Sequence, residues 1–287
     1  MIRTLCIVAL VFLAAFVLRE LAVKDPIVHF SLLRSRTFSA GIVLVTMLGF
    51  VLLGSVVLLP LFMQTLLGWT ATTAGLWNSP RGVGTALCMP LVAYLLGKGW
   101  DARWMLVSGF TVAGLTFFGF ARMTLQSGTW DIFWLQIVQG FGLGFLFVPL
   151  TTLTMSPILK AETSYATSLY NTMRNIGSSV GISFVTTLVA RRSQFHQQIL
   201  GETLTPSSPI HQHAMAGLAP YLHHQGFDLV TAAHKAGGFV YQLLQQQAAL
   251  LSYADAFHLM GIFFLANIPV VLLMRGAEHN RQNRQEP

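Results

Sequence analysis

The stretch FSAGIVLVTMLGFVLLGSVVLLPLFMQTL, residues 38–66, contains no charged side chain. A helix needs about 20 apolar residues to cross the hydrocarbon core of a bilayer. Inside that core each backbone polar group must be satisfied by the segment itself. Such a block dictates a membrane span, and it is not alone. The same reading predicts seven helices: Thr4–Leu18, Phe38–Leu66, Thr70–Leu96, Trp104–Phe120, Trp130–Met155, Ala166–Ala190 and Ala254–Met274. Only 9% of the residues are charged, against about 25% in a soluble domain. The expected fold class is therefore all-α integral membrane, with about seven transmembrane helices.

The first run is short. It reads as a span, as a signal peptide behind Met1-Ile2-Arg3, or as the remainder of a longer helix in a larger protein. Against the signal peptide, no small-x-small cleavage site stands out and Arg19-Glu20 follows directly. Orientation follows from the basic residues of the short loops. One side collects Arg19, Lys24, Arg34, Arg36, Lys98, Arg103, Lys160, Arg275, Arg281 and Arg284. The other collects Arg3, Arg122, Arg191, Arg192 and Lys235. The first side is expected to be cytoplasmic, with the N-terminus outside and the C-terminus inside. The formal net charge of +7 then belongs to loops scattered between apolar blocks. No basic patch forms, so nucleic acid is not an expected partner. The lipid bilayer is.

Residues 191–253 form the one long polar segment, an expected extracytoplasmic loop with one or two short amphipathic helices. One of these, TAAHKAGGFVYQLLQQQAALLSY, is expected to break at Gly237-Gly238. The segment holds His196, His211, His213, His223, His224 and His234, whose spacing matches no standard metal site. Neither metal nor cofactor is expected. Cys6 and Cys88 fall in different apolar blocks and read as small core residues. No nucleophile–base pair, HExxH or phosphate-binding loop is visible, so an enzyme is not expected. GxGxG at 140–144 sits inside an apolar span rather than after a strand. There its glycines would let neighbouring helices approach closely.

The remaining question is why polar groups lie inside the spans. An intramembrane arginine costs about 2.5–3.5 kcal/mol on insertion scales and marks a functional site by default. Arg174 occurs in NTMRNIGSSVGIS. Asn171, Arg174, Asn175 and Ser178 fall at i, i+3, i+4 and i+7, so they share one helical face. Ser168 extends it by a turn, while Leu169 and Ile176 should lie off it. This face either packs against neighbouring carbonyls and amides or lines a wet cavity. Arg81 occurs in WNSPRGVG, where Pro80 and Gly82 suggest a bend or hinge. It too either packs or lines a cavity. Gln136, Gln139 and Gln64 are weaker cavity candidates, equally suited to structural hydrogen bonds. No Asp or Glu lies deep in any of the seven spans, so proton coupling would need a titratable group from elsewhere.

FSLLRSRTFSAG, LPLFMQTLLGWTATTAGLWNSPRGVGT, YLLGKGWDARW and YNTMRNIGSSVGISFVTTLVARR occur in that order. Together they resemble the second half of major facilitator superfamily drug:proton antiporters with fourteen spans, the Emr/Qac type. The resemblance covers almost the whole chain and is weakest over residues 191–253. It implies that Thr4–Leu18 and the linker to residue 37 correspond to an inter-bundle helix. It further implies that residues 38–274 supply a six-helix C-terminal bundle, followed by a cytoplasmic tail at 275–287.

The acids and motif used for proton coupling would lie in an N-terminal bundle absent from this sequence. The implied function is alternating-access efflux of small amphipathic or apolar substrates from the inner membrane. The implied partners are an N-terminal transporter half and a periplasmic efflux adaptor. The alternative is a truncated, non-transporting membrane protein that assembles with a separate N-terminal half. GKGWDARW resembles the superfamily's short cytoplasmic loop at Gly97, Asp101 and Arg103, without its later glycine and second arginine. From its position alone, Asp101 is equally suited to cap the following helix.

Overall fold

The computed structural model describes residues 12, 15, 19, 30–204 and 208–274, and all the regular structure among them is helical. Most of Thr4–Leu18, together with Cys6, Arg3, Lys24, Arg275, Arg281, Arg284 and the tail at 275–287, lies outside the described residues. After a 3₁₀ turn at Phe30–Arg34 come α1 (Arg36–Thr65), α2 (Ala71–Asn78), α3 (Pro80–Gly97), α4 (Ala102–Ala121) and α5 (Thr129–Met155). These are followed by α6 (Thr163–Thr203), α7 (Pro209–His224), α8 (Leu229–Ala266) and α9 (Ile268–Leu272).

The boundaries follow local chemistry. The Thr70 hydroxyl accepts from the Thr73 amide at 3.2 Å and caps α2. Asp101 accepts from the Arg103 amide at 3.0 Å and caps α4. Asp228 accepts from the Thr231 amide at 3.1 Å and caps α8. Each side-chain oxygen satisfies an amide that the first helical turn leaves without a partner.

Four segments are long and apolar enough to cross a membrane unaided: Arg36–Thr65, Ala102–Ala121, Thr129–Met155 and Leu229–Leu272. Two expected spans depart from simple rods. The block Thr70–Leu96 divides at Ser79, with Pro80 opening α3 rather than bending one continuous helix. Proline is favoured at that first position because its missing N–H has no helical partner to lose. The other departure is α6, whose polar stripe dilutes its hydropathy. It runs on to Thr203 instead of ending near Ala190.

Helix α8 also passes through Gly237-Gly238 without the expected break. Its residues Ala232, Ala236, Val240, Leu244 and Ala248 are all buried at a spacing of four. That ridge is continuous, and two glycines beside it cost only about 1 kcal/mol each. At 1.5 Å per residue, α6 is about 60 Å long and α8 nearly as long. The hydrocarbon core is about 30 Å thick, so both helices overhang it.

In the bundle α1 packs on α6, α3 and α4 pack on α5, and α8 packs on α4 and α6. The core is aromatic: Phe264 meets Phe110 and Phe117 at 5.6 Å, and Phe257 meets Phe120 at 5.5 Å. Trp69, Trp77, Trp130 and Phe133 form a chain of ring contacts at one end of the bundle. Exposed Trp100 and Trp104 stand at the start of α4. Aromatic groups at both ends match the two interfaces of a bilayer.

Glycines set how closely the helices approach. A Cβ on Gly140 would lie 2.3 Å from the Arg81 carbonyl oxygen, and one on Gly144 would lie 2.6 Å from Cys88 Cβ. One on Gly142 would lie 2.8 Å from the Ala113 amide nitrogen. The GxGxG run of α5 is thus a two-sided packing surface, with Gly140 and Gly144 toward α3 and Gly142 toward α4. Between α6 and α1, a Cβ on Gly177 would lie 2.1 Å from the Thr46 carbonyl oxygen. One on Gly181 would lie 2.0 Å from that of Phe50. This is small-residue packing, in which the missing side chain lets backbones touch.

Candidate functional site

Arg174 lies in the N-terminal third of α6. Its carbonyl accepts from its own Ser178 hydroxyl at 2.8 Å, as expected for residues one turn apart. The same carbonyl stands where a Cβ on Gly49 of α1 would be, 2.4 Å away. The backbone is therefore clamped against α1. Half-buried Arg174 borders two adjoining cavities, and so does Phe147 of α5. One, of about 420 Å³, is completed by Met89, Val148, Thr151, Thr152 and Tyr170. The other, of about 380 Å³, is lined by Leu52, Leu53, Asn175, Ser178, Ser179 and Ile182, with Gly49.

Among the described residues the Arg174 guanidinium has neither a hydrogen bond nor an ion pair. Tyr170 beside it shares a 3.3 Å hydrogen bond with Thr151. A cation with apolar and aromatic walls on both flanks can hold an anionic or strongly polar head group while the walls take an apolar body.

The rest of the polar stripe divides. Asn175 and Ser178 line the second cavity with Arg174, although the Ser178 hydroxyl is spent on its own helix. Asn171 is half-buried and borders neither cavity; Ser168 is exposed. Leu169 is in the core and Ile176 is exposed.

Arg81 has a different setting. It is 8% exposed and reaches from the first turn of α3 to α1, where Nη1 donates to Ser55 Oγ at 3.3 Å. Nearby, Gln136 Nε2 donates to Asn78 Oδ1, tying α5 to the end of α2. Gln136 and Gln139 are buried, and the Oε1 of each has no partner among the described residues. Gln64 is exposed and donates to the Pro60 carbonyl of its own helix at 3.1 Å. Pro80 is buried, whereas Gly82 has open space beside it.

At the opposite end Asp101 caps α4, and its carboxylate lies 3.8 Å from Arg103 Nε. Gly97 ends α3, and Gly99, at φ +87°, makes the turn between the two helices. Only glycine adopts that conformation without strain.

Two features escape a sequence reading. One is Gly177 and Gly181, whose spacing of four is the visible trace of the α1–α6 contact. The other is Asp255, which stands second in the expected last span, Ala254–Met274, but sits well inside α8. Its Oδ2 accepts from His196 Nε2 at 2.8 Å and lies 3.3 Å from Arg192 Nε, both on α6. Cys88 is buried and free.

Residues 4–182 match the family described as Major Facilitator Superfamily. Fatty acid resistance protein FarB of Neisseria gonorrhoeae is 34% identical over 281 residues, which is 97% of this chain and 53% of the relative. Multidrug export protein EmrB of Haemophilus influenzae is 32% identical over 279 residues, 96% of this chain and 53% of the relative. The EmrB protein of Escherichia coli K12 is 30% identical over 270 residues, 93% and 51% respectively. The chain spans about half the length of these curated relatives.

Proposed function

We propose that this chain, which belongs to the Major Facilitator Superfamily, acts as the C-terminal half of a fourteen-span, proton-coupled efflux transporter working by alternating access. The observation that carries the reading is Arg174, a cation without an anion among the described residues, set between two cavities on one face of the bundle. An N-terminal bundle facing Arg174 would close those cavities into a central site, as alternating access between two bundles requires. That bundle would also bring the buried acids that the spans here lack. The similarity to proteins named for multidrug export and fatty acid resistance supports small amphipathic substrates. In such a substrate the polar head would meet Arg174 and the body would lie along Phe147, Val148 and Met89. Arg81, buried and bonded to Ser55, is assigned to holding α3 against α1.

In this reading the protein is a transporter rather than an enzyme. It sits in the inner membrane with the α6–α8 overhang outside and the C-terminus in the cytoplasm. A periplasmic adaptor would meet that overhang.

The experiment compares drug and fatty-acid tolerance in a pump-deficient strain expressing this chain alone or with an N-terminal half from a relative. Tolerance that needs both halves and collapses when the proton gradient is dissipated is expected. Gradient-dependent efflux by this chain alone would overturn the half-transporter reading. Correct assembly of the two halves with no efflux would favour a non-transporting partner protein.

A further inference from the structure

We propose that His196 and Asp255, together with Arg192, form a proton-binding site that sets the spacing of the α6 and α8 overhangs. Asp255 Oδ2 receives both His196 Nε2, at 2.8 Å, and Arg192 Nε, at 3.3 Å. The two basic groups lie four residues apart on α6, so they share a face. The acid is on the other helix. The cluster is the one place among the described residues where an ion pair joins two different helices.

The contact is suited to respond to acidity. With His196 neutral, its Nε2–H donates to the carboxylate and Nδ1 keeps a lone pair. The imidazole is 18% exposed, so water reaches it. A proton taken from water at Nδ1 turns the neutral hydrogen bond into an ion pair. Charge-assisted hydrogen bonds are roughly twice as strong as neutral ones. Binding of one proton therefore tightens α6 against α8, and release loosens them.

The surroundings leave this response to the cluster itself. The neighbouring cavity is lined by Leu61 and Thr65 of α1, Ser193 of α6, and Ser252 and Tyr253 of α8. His258 is turned away: its Nδ1 is 3.0 Å from the Ala254 carbonyl and its ring lies 5.6 Å from Phe118 of α4. Beyond the cluster the two helices flank a cavity of about 550 Å³ lined by Gln194, Gln197, Gln198, Gly237 and Tyr241. The cavity leaves room there for the spacing of the two helices to follow a change at the cluster.

The test places spin labels on Ile199→Cys and Gln247→Cys of the full chain in lipid nanodiscs, with Cys6 and Cys88 replaced by alanine. Inter-label distances are measured at about pH 8 and about pH 5. The expected result is a narrower, shorter distribution at the acid pH. His196→Gln should remain broad at both values, and Asp255→Asn should lose the pH response. His196→Lys, permanently charged, should be narrow at both, which separates a charge effect from simple loss of folding. A parent protein whose distances do not change with pH would overturn the proposal, as would a His196→Gln variant that keeps the full response. These readouts require no transport, so they stand apart from the efflux reading.

Discussion

Arg81 Nη1 donates to Ser55 Oγ across 3.3 Å, and this is the one hydrogen bond of that guanidinium among the described residues. It joins α3 to α1 through a neutral partner. The charge of Arg81 is thus held by geometry rather than by a counter-ion. A buried charge left without its hydrogen-bond partner is expensive.

Ser55→Ala should therefore destabilise the bundle by about 1.5–3 kcal/mol, the range for a hydrogen bond to a charged group. Arg81→Met, of similar length and apolar, should cost less than Arg81→Ala, which leaves a cavity as well. Thermal unfolding of the purified protein in detergent measures all three. Equal stability of Ser55→Ala and the parent would remove the structural role given to this contact.

Gly177→Ala and Gly181→Ala should force α6 off α1, since the new carbons would sit 2.1 and 2.0 Å from carbonyl oxygens. Overpacking of this kind costs about 1–3 kcal/mol or more. Gly238→Ala, with open space around it, should instead gain about 0.5–1 kcal/mol, because alanine favours the helix. The opposite signs, read from unfolding midpoints, check the packing assignment.

Arg174 distinguishes three roles. If its fork binds two acceptors at once, both Arg174→Ala and Arg174→Lys abolish transport in the assembled protein, since an ammonium cannot form a planar fork. If charge alone matters, lysine restores it. If the side chain only supports packing, Arg174→Ala lowers the amount of folded protein in the membrane. The open cavities around it predict normal protein levels with impaired efflux. Normal efflux in both variants would remove Arg174 from the substrate path.

Asp228 caps α8, and the Thr231 hydroxyl and amide hold its carboxyl below the usual aspartate range. A depressed folded pKa means the cap contributes stability above the unfolded value and loses it as pH falls through the folded value. Proteolysis around residues 225–230 should accordingly increase as pH falls through the acid range. Asp228→Asn keeps an acceptor for the Thr231 amide but removes the titration, so its cleavage rate should be flat with pH. A parent protein with equally flat cleavage would contradict the cap's contribution.

Topology is checked by single cysteines at Met215, in α7, and Lys98, between α3 and α4. An impermeant thiol reagent added outside intact cells should label the first and spare the second. The reverse pattern would invert the orientation read from the basic loops.

Apolar blocks announce themselves because a bilayer demands length and satisfied backbone. The boundaries of α1, α4 and α5 were accordingly legible to within a residue or two. The three-four spacing around Arg174 was legible for the same reason: helical period is a local property. The long extent of α6 and α8 was not, because outside the lipid their helicity depends on packing against each other and α7. Ala232 to Ala248 form a buried ridge only when a partner is present. Arg81 and Arg174 look alike in sequence, each a charge amid apolar neighbours. What separates them, Ser55 for one and open cavities for the other, comes from helices 26 or more residues away in the chain. The same holds for His196 and Asp255, which are 59 positions apart.

The overhang of α6 and α8 has a mechanical consequence. Glycine contacts with α1 clamp α6 near its middle, and aromatic stacking of Phe257 and Phe264 on α4 clamps α8 toward its C-terminal end. The portion beyond the lipid is a lever with a fixed fulcrum. For an arm of about 30 Å, a tilt of roughly 10° at the clamp sweeps the tip by roughly 5 Å. A displacement of that size at the tip corresponds to far less at the level of Arg174, close to the pivot. The protein therefore has a gear ratio: small rearrangements around the Arg174 cavities become large ones at the far end. A push at that end returns to the cavities as a small movement with a proportionally greater force.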